Sequence, residues 1–119
     1  MSKVLVLGAS PNNARFSYKC VRSLIRHEHE VVALGQRAGN IKETEIVAGK
    51  PELQEIDTVI LYIGSKKQPE FYDYIIGLKP RRIIFNPGTY NKEFIDKAKE
   101  NGIETIVDCA LIMLNSGTF

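Results

Sequence analysis

KVLVLGASPNNARFSYKCVRSLIRHEHEVVAL, residues 3–34, holds one complete strand–helix–strand unit. Lys3 to Leu7 is apolar, rich in β-branched residues and without polar alternation, the pattern of a strand covered on both faces. Gly8 ends it. From about Arg15 to His27 the residues Phe16, Cys20, Val21, Leu24 and Ile25 recur at helical spacing, with polar residues on the other side. Glu30 to Leu34 (EVVAL) is a second buried strand. Two such strands joined by a helix make a parallel crossover, and a parallel sheet needs helices to cover it.

The rest of the chain repeats this alternation. Gly35 to Lys50 is polar and glycine-rich, with Ile46-Val47 as a short edge strand inside it. Pro51 to Gln54 is read as a single helical turn. Asp57 to Ile63 (DTVILYI) is the next strand, ending at Gly64. Ser65 as N-cap with Gln68 three residues on makes a capping box. Its helix would run to about Ile76 and stop at Gly77. Arg82 to Phe85 is a fourth strand and Glu104 to Val107 a fifth. Between them Asn91 caps a helix that runs to about Glu100 and ends at Asn101-Gly102. Cys109 to Leu114 is a short closing helix. The expected fold is α/β: a three-layer Rossmann-like domain over residues 1–119. Its open, mostly parallel five-stranded sheet would carry helices on both faces.

Composition narrows the function. In 119 residues, 44% hydrophobic and 25% charged are ordinary globular values, and a net charge of +2 spread over both signs argues against a nucleic-acid surface. No apolar run approaches the roughly 20 residues of a membrane helix. Met-Ser-Lys runs straight into the first strand, leaving no room for a targeting segment. Cys20 and Cys109 have no metal-ligand spacing and point to a reducing compartment. We expect a cytoplasmic protein. No HExxH, no P-loop and no assembled Ser/His/Asp set marks it as a hydrolase or transferase.

In such sheets ligands sit beyond the carboxyl ends of the strands, where strand order reverses. The loops after Leu7, Leu34, Ile63 and Phe85 therefore matter most. In the first, Gly8 permits a sharp turn, and the helix start offers N–H groups and partial positive charge to a phosphate. Ser10, Asn12, Asn13 and Ser17 add neutral donors, and Arg15 a planar cation. A dinucleotide fingerprint is missing, since Ser10 and Asn13 stand where its later glycines belong. The plainer reading is a helix start beside an exposed arginine. In the second loop, Gly35, Gln36 and Arg37 offer no carboxylate for an unphosphorylated ribose. They favour an adenine nucleotide with an extra ribose phosphate, such as NADP or coenzyme A, over NAD. Arg37 reads equally as an ordinary surface residue. Gly64 and Gly88 let backbone approach a ligand, and they also suit plain strand-to-helix turns. His27 and His29 read as a solvated turn at a helix end. Tyr62, Phe71, Tyr72 and Tyr74 read as core and groove walls, and Cys109 as a packed thiol.

The stretch from Val4 to Leu34, with Gly8-Ala9-Ser10 followed by Arg15 and Ser17, resembles the opening of the small stand-alone CoA-binding proteins. These share a domain with the succinyl-CoA synthetase alpha subunit. The resemblance continues through IDTVILYI, through Asn86-Pro87-Gly88, and through AKENGIETIVDCALIM at the end. It departs at Gly35-Gln36, where the family usually shows Asn-Pro, and at Asp108, where a base or asparagine is usual. The resemblance implies a binding module without catalysis of its own. Gly8, Ala9, Ser10, Arg15 and Ser17 would lie along the diphosphate of coenzyme A or an acyl-CoA, and Arg37 near the 3′-phosphate. Tyr62, Gly64 and Pro69 would face the adenine, and Asn86, Pro87 and Gly88 the arm that carries the thiol. An NADP-binding redox or sensor domain is the alternative ligand reading. A protein-interaction domain with a decayed nucleotide site, with a protein partner or a second copy, is the other.

Overall fold

A computed structural model describes residues 2–119. β1 (Lys3–Leu7) lies inside a seven-stranded sheet. On one side it pairs in parallel with β2 (Glu30–Leu34), and on the other with β5 (Thr58–Leu61). Beyond β2 comes β4 (Thr44–Val47), which pairs antiparallel with β3 (Gly39–Ile41) at the edge. Beyond β5 lie β6 (Arg82–Phe85) and β7 (Glu104–Val107), both parallel. The chain thus starts in the middle, builds outward through β2, then returns to build the other half. The reversal falls between β1 and β5.

Alternation along β1 shows the three layers. Val4 and Val6 pack with Cys20, Val21 and Leu24 of α1 (Phe16–Arg26) and with Ala110, Met113 and Leu114 of α4 (Ala110–Ser116). Leu5 and Leu7 point the other way, toward Tyr72 and Ile75 of α2 (Tyr72–Leu78) and Phe94, Ile95 and Ala98 of α3 (Lys92–Glu100). Both faces of the central strand are buried, which is why it reads as an unbroken apolar run.

Five expectations are corrected. The sheet has seven strands, not five, because residues 39–47 form a hairpin. Ile46-Val47 is consequently second from the edge. The hairpin turns at Lys42 (φ 54°) without the Asn-Gly signature of tight turns, and is held instead by burial of Ile41 and Ile46. Pro51 to Gln54 is not helical. The helical segment expected from Ser65 begins only at Pro69, as a single 3₁₀ turn (Pro69–Phe71) leading into α2. Gly77 lies within α2, which ends at the left-handed Lys79.

Gln68 explains the lost capping box. Its side chain is fully buried. Nε2 donates to Ile63 O (3.0 Å) and Thr89 O (2.8 Å), and Oε1 accepts from Asn91 Nδ2 (3.0 Å). It ties the loop after β5 to the loop after β6. Asn91 caps α3 as expected, its Oδ1 accepting from Phe94 N.

Candidate functional site

At the point where strand order reverses, the chain must leave β1 without colliding with the ends of β2 and β5. Gly8 and Ala9 both donate their N–H to Leu34 O, at 2.8 and 2.9 Å, so the loop leans across the end of β2. Gly8 has φ 99°, and a Cβ there would stand 2.9 Å from the carbonyl carbon of Tyr62. Its backbone conformation and its neighbours both require glycine. At Gly35 a Cβ would stand 2.5 Å from Ala9 O. The glycine that departs from the resembled family is thus demanded by the loop packed on it.

The loop then braces itself. Ser10 Oγ accepts from Asn12 N (3.1 Å), Asn12 Oδ1 from Ala14 N (3.0 Å), and Asn12 O from Arg15 N (3.0 Å). Such local bonds hold an irregular backbone in one shape. Arg15 occupies the N-cap position of α1 with no side-chain capping bond, and no acid lies in the first turn. The positive end of the helix dipole therefore meets no carboxylate of its own helix.

A cleft of about 1180 Å³ opens above these loops. Gly8, Ala9, Ser10, Arg15 and Ser17 form its first wall, and Gln36 and Arg37 its second. Tyr62 and Gly64 come from the end of β5, and Pro87 and Gly88 from the end of β6. Gly35 instead lines a smaller adjoining chamber of about 560 Å³. Two expected residues line neither. Pro69 is exposed at the start of the 3₁₀ turn. Asn86 is buried, with Nδ2 donating to Leu61 O (2.9 Å) and Oδ1 accepting from Ala110 N (2.9 Å). It positions β6 and the start of α4 and does not line the cleft.

Sequence reasoning left Pro11, Phe16, Ile63 and the lysines Lys66 and Lys67 out of the ligand set, yet all line the larger cleft. The doublet Lys66-Lys67 in a loop after a buried strand was the available signal. Among the described residues the ion pairs join Lys3 to Glu30, Arg81 to Asp57 and Glu104, and Lys92 to Asp96. Arg15, Arg37, Lys66 and Lys67 take part in none of them. No aspartate, glutamate, histidine or cysteine lines the larger cleft. Such a surface can attract and hold an anion.

Behind the cleft, the buried hydroxyl of Tyr62 finds no hydrogen-bond partner among the described residues. Burial, then the neighbouring thiols, raises its pKa, so the phenol stays neutral. Burial also pushes the Cys20 thiol up to about 11. A thiol so raised is a weak nucleophile at neutral pH. His27 Nδ1 lies 2.8 Å from Ser23 O at the end of α1, and His29 Nδ1 accepts from Ser2 N at 3.1 Å. Neither histidine lines either cavity. No helix is long and apolar enough to cross a membrane, and the described residues include no metal-binding cluster.

A family model described as a CoA binding domain matches residues 2–115. Among solved structures, an uncharacterized protein is 43% identical over all of this chain and 98% of its own, with a TM-score of 0.97. A protein from Thermus thermophilus shares the fold at 21% identity and a TM-score of 0.87, covering 99% of this chain and 90% of that one. A hypothetical protein from Pyrococcus horikoshii OT3 does so at 20% identity and a TM-score of 0.86, covering 98% and 83%. No curated protein matches the sequence.

Proposed function

The chain belongs to the CoA-binding domain family, and from that premise we propose that it binds coenzyme A or an acyl-CoA in the cleft, without catalysis of its own. The observation that carries this reading is a set of four cations lining the cleft, none paired with a carboxylate among the described residues. Exposed cations left without partners on one concave surface suit a ligand that brings several negative charges. The diphosphate lies over Gly8 to Ser10 and the start of α1, with Arg15 and Arg37 on either side. Pro87 and Gly88 leave the far end of the cleft open for the arm that carries the thiol.

Thermal melting of the purified protein with CoA, acetyl-CoA, dephospho-CoA, NADP and NAD tests this. A ligand bound only by the folded state adds about 2.7 kcal/mol at 100 times its Kd. For a domain of this size that raises Tm by on the order of 10 °C. A shift with CoA and acetyl-CoA that exceeds the shift with NADP supports the proposal. A larger shift with NADP assigns the cleft to a nicotinamide nucleotide. No shift with any of them at millimolar concentration overturns nucleotide binding altogether.

A further inference from the structure

The cleft is double. The smaller chamber joins the larger one at Gly8, Gln36, Ile63 and Lys67, which line both. Its walls include the apolar side chains of Leu7, Leu34, Ile63 and Phe71. Two lysines, Lys50 and Lys67, and one acid, Glu70, also line it. Lys50 is held in place: Nζ donates to Glu70 O at 2.6 Å and lies 5.2 Å from the centre of the Phe71 ring. One of its three donors is used and two remain free. Lys67 is held from the backbone side, its N–H donating to Gly64 O (3.0 Å) and its neighbour Gln68 locked in the interior. Its ammonium takes part in no ion pair and no side-chain hydrogen bond among the described residues. Arg37 and Lys66, by contrast, line only the larger cleft.

Apolar walls with cations at the mouth fit a flat ring carried on a phosphorylated sugar. The ring enters the chamber, and the sugar and its phosphate stay at the junction. We propose that Lys67, supported by Lys50, is the residue that distinguishes a ribose bearing a phosphate from one without it, a role the sequence pattern assigns to Arg37. This rests on the coenzyme A reading above. Arg37 and Lys66 then act as general attraction for the diphosphate and do not discriminate.

Calorimetric titration of the full chain with CoA and dephospho-CoA, at one fixed ionic strength, tests the assignment. The proteins compared are wild type, Lys67→Ala, Lys50→Ala, Lys66→Ala and Arg37→Ala. Lys66→Ala removes the same charge one residue away and so controls for net charge. Wild type is expected to prefer CoA by about tenfold or more, the scale of one charge-assisted hydrogen bond. Lys67→Ala is expected to abolish that preference, and Lys50→Ala to reduce it. Lys66→Ala and Arg37→Ala are expected to weaken both ligands by a common factor and keep their ratio. Loss of the preference in Arg37→Ala with its retention in Lys67→Ala overturns the inference and leaves the coenzyme A reading intact. The same holds if wild type binds both ligands equally. Failure of wild type to bind CoA at millimolar concentration overturns both.

Discussion

Gly35 and Ala9 stand so close that no side chain fits between them: a Cβ on Gly35 would lie 2.5 Å from the carbonyl oxygen of Ala9. The loop after β1 therefore rests on the bare backbone at the end of β2. Gly35→Ala must push that loop away, and overpacking of this kind costs about 1–3 kcal/mol. Because the loop forms one wall of the cleft, the variant is expected to lose CoA affinity as well as Tm. A melting experiment with and without CoA reads both. Unchanged affinity would show that the loop's position is immaterial to binding.

Gln68 is the second structural hinge of the site. Gln68→Ala leaves Thr89 O to find another partner in a buried place, and Ile63 O and one N–H of Asn91 Nδ2 in half-buried ones. Each unsatisfied buried group costs about 1–3 kcal/mol, so a total loss of about 3 kcal/mol is expected. Urea unfolding should show a lower midpoint at an unchanged slope. A loss under about 1 kcal/mol would mean that water replaces the amide without penalty.

Stability should fall on acidification in two steps. His29 has its pKa lowered from 6.5, by burial first and then by neighbouring positive charge. The unfolded chain binds that proton more readily, so stability rises with pH through this range and is lost as pH falls through it. Protonating Nδ1 would also break the bond from Ser2 N. Asp57 has its carboxyl held below 3.8, first by its hydrogen bond with Arg81. Its contribution is present above that value and lost as pH falls further. Melting at steps from pH 7.5 to 3 should show both declines. His29→Asn should remove the upper one and spare the lower.

Phe119 covers a buried arginine. Its ring lies 4.4 Å from the Arg82 guanidinium and 5.1 Å from the His29 ring. Arg82 in turn donates to Thr58 Oγ1 at 2.9 Å. These contacts gather at the amino ends of the strands, opposite the cleft. Phe119→Ala is expected to cost about 1–2 kcal/mol, from the lost cation–π contact and burial. CoA affinity of the folded protein should not change. A change in affinity without loss of stability would contradict this separation of the two ends.

Local pattern was enough to establish the strand–helix–strand unit of residues 3–34, the strands around residues 57–63, 82–85 and 104–107, and the Asn91 cap. In each, the residues that make the element are neighbours in sequence, and burial on both faces leaves a continuous apolar run. The same logic located the first loop, because Gly8 marks where the strand must turn. What local pattern could not carry was decided by partners far away in the chain. Ile41 and Ile46 become a hairpin because the sheet and α1 bury them, not because Lys42-Glu43 favours a turn. Gln68 gives up its place in a capping box because three polar partners await it inside, at Ile63, Thr89 and Asn91. Asn86 turns inward to Leu61 and Ala110 and so leaves the cleft, while Lys50 and Lys67 come to flank one chamber from loops that sequence spacing does not connect. The sequence determined the central strands and the helices α1 and α3, since those depend on local periodicity. Only the tertiary structure decided which polar side chains face a ligand and which hold the frame, since each goes wherever its buried donors and acceptors find partners.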